Sequence, residues 1–213
     1  MNNVGMGILG AVVVFVTIII SMTLHEIMHG VAAYMLGDTT AKDDGRLSLN
    51  LVRHLDPIYS IIVPLVLYVF KMPIFGGAKP VPVNSENLKF GREWGMVIVA
   101  LFGPLTNLIL AYIGFLGWFF IGNEIVNMIS YYFMSVNLGF CCFNILPIPP
   151  LDGSRLLHAI APDGIREAID RLEQSMGRAL VYVLILVFGG FISSIIVGMM
   201  NGILAVFLWT VGG

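Results

Sequence analysis

Apolar positions in this chain do not alternate with polar ones over most of its length; they run on. Lys and Arg are absent from residues 1–41, 93–154 and 179–213, stretches of 41, 62 and 35 residues. A helix crossing a bilayer takes about 20 apolar residues, so the first and third stretches each predict one spanning helix. The second predicts a helical hairpin turning near Gly122-Asn123-Glu124. Four crossings follow.

The stretch between Arg53 and Lys71 reads differently. It is apolar, but it holds 17 residues between the charges and contains Pro57 and Pro64. All eleven Lys and Arg fall within 42–53, 71–92 or 155–178. These regions share the cytoplasmic face, as the positive-inside rule asks, if this stretch enters the membrane and returns. A re-entrant segment is therefore expected, with a fifth span and one basic loop outside as the alternative. Residues 37–51, with the alternation Arg46-Leu-Ser-Leu-Asn-Leu51, and residues 76–84, with Pro80 and Pro82, read as short extended β segments. Backbone of that kind is tolerated at membrane depth where protein or a water-filled cavity surrounds it, so an aqueous recess is expected near the cytoplasmic face. Residues 163–178 alternate charged and apolar positions, the pattern of an amphipathic interfacial helix.

Composition agrees with the pattern. Of 213 residues, 58% are hydrophobic and 11% charged, far below the quarter or so of charged residues in soluble domains, and the mean hydropathy is +0.92. The expected fold class is an all-α polytopic membrane protein with about four spanning helices, multi-pass in the cell membrane. A net charge of -2 provides no basic face for a phosphate backbone, which excludes nucleic acid as the expected partner. Cys141 and Cys142 are adjacent in an apolar run and read as packing. No Lys or Arg precedes the first apolar run and no small-residue cleavage site follows it, so it reads as a retained span and not a secretory signal. No linker or repeat divides the chain, which is read as one domain over 1–213.

The first apolar run ends in Leu24-His25-Glu26-Ile27-Met28-His29-Gly30. Histidines four apart lie on one helix face, so both imidazoles can reach one ion, and the glutamate beside them can take a proton from the attacking water. Three ionisable groups within five residues of a spanning helix need compensation, and a divalent cation supplies it for all three. Catalytic zinc takes three protein ligands. The third is open among His54, His158, the aspartates and the remaining glutamates. Asp152 stands out because Pro147-Ile-Pro-Pro-Leu-Asp-Gly153 breaks the helix where the fourth apolar stretch ends. Spacing alone leaves it equally readable as a turn or cap aspartate.

Taken together, His25-Glu-Ile-Met-His29, Gly77-Ala-Lys-Pro-Val-Pro-Val-Asn84, Gly103-Pro-Leu-Thr-Asn107 and Asn144-Ile-Leu-Pro-Ile-Pro-Pro-Leu-Asp-Gly153 resemble the site-2 proteases, intramembrane zinc metalloproteases of regulated intramembrane proteolysis. The resemblance implies one Zn2+ per chain, Asp152 as third ligand beside His25 and His29, and Glu26 as the catalytic base. It implies Asn107 and Asn144 near the substrate backbone, and an active site towards the cytoplasmic side acting on membrane-spanning proteins. His54, in His54-Leu-Asp-Pro57, matches a feature of the shorter members and reads as a polar anchor at the membrane surface. The chain has no room for the PDZ or nucleotide-sensing modules of larger members. A zinc or proton-coupled transporter and an inactive membrane scaffold are the rival readings. The lack of an internal repeat and the ligands' position near one end of their helices disfavour the first. The intact Glu26 disfavours the second.

Overall fold

The computed structural model describes residues 3–62, 78–177 and 179–212. Helix α1 (Asn3–Met35) is followed by the single-turn α2 (Thr40–Asp43), a 3-10 turn (Leu51–His54) and a π-helical stretch (Pro57–Ile62). Beyond residue 78 an extended run leads through a second 3-10 turn (Ser85–Asn87) into α3 (Arg92–Phe120). Then come α4 (Glu124–Asn144), α5 (Ser154–Ile160), α6 (Asp163–Met176) and α7 (Ala179–Thr210). Four of them, α1, α3, α4 and α7, are long and apolar enough to cross a membrane. They occupy the stretches that lack lysine and arginine. The protein is an α-helical, multi-pass membrane protein.

The hairpin between α3 and α4 turns where the sequence suggests. The side-chain oxygen of Asn123 accepts from the N–H groups of Ile125 and Val126 at 3.1 and 3.2 Å, satisfying donors that the first turn of α4 leaves free. The expected extended segments form no strand among the described residues. Asp38 accepts from the Thr40 N–H at 3.2 Å and the Thr40 hydroxyl at 2.6 Å, and residues 40–43 coil into α2 instead. Around residues 46–50 side chains take the place of a ladder. Arg46 Nη2 donates to Lys79 O at 2.7 Å, and His54 Nε2 meets Ser48 O at 2.8 Å. Among the described residues β-type pairing is an isolated antiparallel bridge, Leu55 with Ala78, beside which Lys79 N donates to His54 O at 2.8 Å. The re-entrant segment expected after Arg53 falls largely outside the described residues, but the chain flanking residues 56–77 departs and returns at one place.

Lipid tails are as apolar as side chains, so helix association rests on close packing. Helix α3 is central, the most buried of the four, and α7 is the least buried. Gly114 lets α3 lie against α4, where an added Cβ would come within 2.8 Å of the Met134 nitrogen. Ala111, Phe115, Met134, Leu138 and Phe207 form the core beside this crossing. A second cluster joins Leu146 and Leu151, in the loop after α4, to Ile192 of α7. The last span thereby supports the loop that carries Asp152.

Candidate metal centre

His25 and His29 share one face of α1 and are 7% and 9% exposed. The helix runs on for six residues to Met35, roughly 9 Å at 1.5 Å per residue, so the pair lies towards the C-terminal end of this 33-residue helix. Asp152 reaches it from the loop between α4 and α5, with Oδ2 at 3.1 Å from His25 Nε2 and Oδ1 at 3.3 Å from His29 Nε2. The two Nε2 atoms are 3.0 Å apart. These are the residues among those described whose ligand atoms gather within 4.8 Å as a group that could hold a metal. The other histidine candidates sit elsewhere. His54 is buried against Ser48 O, and His158 lies between Glu93 at 2.6 Å and Asp170 at 3.1 Å.

The loop is shaped to deliver the carboxylate. Pro147, Pro149 and Pro150 prevent continuation of α4, and Gly153 N closes back on Asn144 O at 2.7 Å. A Cβ at Gly153 would strike the Ile145 carbonyl, which explains the glycine after Asp152. Pressing on the other side is α3, where a Cβ at Gly103 would stand 2.5 Å from His29 Cε1 and Nε2 and 2.6 Å from His25 Cε1.

The donor set fits a cation. His29 Nδ1 faces Val99 O at 2.8 Å and His25 Nδ1 faces Asn107 Oδ1 at 2.6 Å. Val99 O can only accept and Asn107 presents its amide oxygen, so each neutral ring carries its proton on Nδ1 and turns an Nε2 lone pair inward. Two lone pairs and a carboxylate then converge, and Asp152 Oδ2 is buried with no hydrogen-bond donor. A dication between them resolves that repulsion. Two imidazole nitrogens and a carboxylate oxygen, with a position left for water, are the donor set of a catalytic zinc.

The chain is 38% identical over 168 residues to a Bacillus subtilis (strain 168) protein named "Putative zinc metalloprotease YwhC", an alignment covering 74% of this chain and 73% of the relative. The chain belongs to the site-2 protease family. The same description is carried by MJ0611 of Methanocaldococcus jannaschii, 31% identical over 62% of each chain. It is also carried by Rip2 of Mycolicibacterium smegmatis, 29% identical over 63% of this chain and 52% of that one. No family model and no solved structure matches the chain. The family makes this a zinc metalloprotease, with Zn2+ as its cofactor.

Other residues in the family motifs have less predictable positions. Glu26 Oε2 accepts from the Val81 N–H at 3.0 Å, so the extended run after residue 78 lies against the carboxylate next to the histidine pair. Asn107, expected at the substrate backbone, is 0% exposed. Both of its polar atoms are engaged, Oδ1 with His25 and Nδ2 with Asn137 Oδ1 at 3.0 Å. Asn144 is half-buried and donates to Phe140 O at 2.9 Å, while its carbonyl anchors the Asp152 loop. Sequence reading missed Asn137, Val99 and Val81. Asn137 carries a signal, being an amide in the middle of an apolar crossing. The other two act through backbone atoms, which residue identity does not mark.

Proposed function

We propose that this site-2 protease hydrolyses peptide bonds in or next to the transmembrane segments of membrane-protein substrates, as an HExxH-type intramembrane endopeptidase of regulated intramembrane proteolysis. His25, His29 and Asp152 hold one zinc per chain, and Glu26 is the base. The observation that carries this reading is the meeting of the Asp152 carboxylate with two histidines of an apolar helix, with the Glu26 carboxylate on the next helical position. When bound, zinc supplies a Lewis acid that polarises the scissile carbonyl and lowers the pKa of water.

The chain's own groups do the rest. Glu26 takes a proton from the attacking water at a carboxylate oxygen and delivers it to the leaving amine. Val81 N–H holds Oε2, which leaves Oε1 to receive that proton. The imidazoles present Nε2 inward because Asn107 and Val99 retain their Nδ1 protons. A helical substrate must unwind, since hydrogen bonding hides its carbonyl, and Asn144 stands at the end of α4 to meet the extended chain. The arrangement of Lys and Arg favours an active site open towards the cytoplasm of a cell membrane.

Purified protein in detergent should contain about one zinc per chain and cleave a reporter bearing a transmembrane segment. Glu26→Gln should keep the metal and lose about 100- to 10,000-fold in rate, the span of general acid–base contributions. Normal cleavage by wild-type protein stripped of zinc would overturn the mechanism.

A further inference from the structure

The two histidines obtain the same proton arrangement by different means. His29 Nδ1 donates straight to a main-chain carbonyl, Val99 O, which can only accept. The partner of His25 Nδ1 is the side-chain amide of Asn107, and an amide offers an acceptor or a donor according to how it is turned. If Asn107 presented its NH2 instead, His25 Nδ1 would have to accept, its proton would move to Nε2, and the metal-facing lone pair would be gone. Something must hold this amide in one sense.

We infer that Asn137 is a positioning residue of the zinc site, fixing the tautomer of His25 through the side chain of Asn107. Asn107 Nδ2 donates to Asn137 Oδ1 at 3.0 Å, and Asn137 Nδ2 donates to Phe133 O at 2.8 Å. The sense of the row is decided at its far end. Phe133 O is a main-chain carbonyl and accepts only, so Asn137 turns its NH2 towards it and its oxygen towards Asn107. Asn107 must then direct its NH2 at that oxygen, and its own oxygen falls to His25. Asn107 and Asn137 are both 0% exposed, which leaves no solvent to take over either bond. A carbonyl of α4 thus sets which nitrogen of a histidine on α1 is free, through two amides on α3 and α4.

This role deepens the proposed function and rests on His25 being a zinc ligand, so the test separates the two. Ring-nitrogen NMR of the metal-free protein in detergent should find the His25 proton on Nδ1 in wild type and a loss of that preference in Asn137→Leu. Competition against a chelating dye should give zinc binding about 10- to 100-fold weaker in Asn137→Leu, the usual range when a group orienting a metal ligand is removed. Asn137→Asp should restore most of it, because its neutral acid can donate to Phe133 O while accepting from Asn107. A merely structural role would lower stability without moving the His25 ring signals, and that result overturns the inference. Zinc binding lost in His25→Ala but unchanged in Asn137→Leu overturns the positioning role alone. Zinc binding unchanged in His25→Ala overturns the ligand reading itself. Should Asn137→Leu fail to fold, the wild-type spectrum still decides, since a His25 Nδ1 without a proton refutes the inference.

Discussion

Gly103 shows how a residue without a side chain can govern the metal centre. A methyl group there would stand 2.5 Å from His29 Nε2, nearer than such atoms approach, with helix backbone behind it and two imidazoles in front. The rings must yield. Gly103→Ala is expected to displace them enough to lower cleavage by about 100-fold, the effect of an ångström-scale error in catalytic geometry, and to weaken zinc binding with it. Gly139→Ala is the control, since its Cβ would meet nothing within 4 Å. Measuring zinc content and cleavage in both variants decides the matter, and equal behaviour would remove Gly103 from the account. That His25 and His29 share one face was legible in the sequence because spacing along one helix is a local property. Asp152 was one of several choices, because only the fold brings a distant loop to that helix. Asn107 was placed beside the substrate because its motif lies near the site, whereas its direction depends on Asn137, which no local pattern links to it.

At the scale of elements, the connection after α1 depends on Asp38. Its carboxylate accepts from Thr40, from Asn84 N at 2.7 Å and from Asn87 Nδ2 at 3.2 Å, joining the start of α2 to the run that leads into α3. Burial pushes its pKa up, but the hydrogen bonds from Thr40, Asn84 and Asn87 outweigh it and hold the carboxyl below its ordinary 3.8. A depressed value means that the contribution to stability is complete above 3.8 and disappears as pH falls through the lower folded value. Asp38→Asn turns an NH2 towards donors and should destabilise the protein by about 1–3 kcal/mol at neutral pH. It should also remove this acid-sensitive part. Denaturation in mild detergent at pH 7 and pH 3 would show the gap between variant and wild type narrowing at the lower pH, and a constant gap would refute it. The spans were readable from composition because lipid demands long apolar runs. The 37–51 connection was not, since Asp38 coils residues 40–43 and the alternating residues 46–50 are held by Arg46 and His54 through main-chain carbonyls in place of a ladder.

For the whole molecule, the pairing of Leu55 with Ala78 has a topological meaning. Lys79 must lie on the same side as Lys42, whatever course residues 56–77 take, and the α3–α4 hairpin returns Arg166 to that side as well. Single cysteines at 42, 79 and 166, with Cys141 and Cys142 replaced, should all resist an impermeant thiol reagent applied to intact cells. Labelling at 79 alone would show a fifth crossing. The same bridge also holds together the two ends of a length of chain. Once two points are pinned, the entropy of the tether between them grows only with the logarithm of its length, about 0.6 kcal/mol for each doubling. An insertion among the 22 positions between Leu55 and Ala78 would therefore add little to the cost of closing this bridge. The bridge, and with it the seat of Lys79 beside His54, thus tolerates a change of length between its two ends.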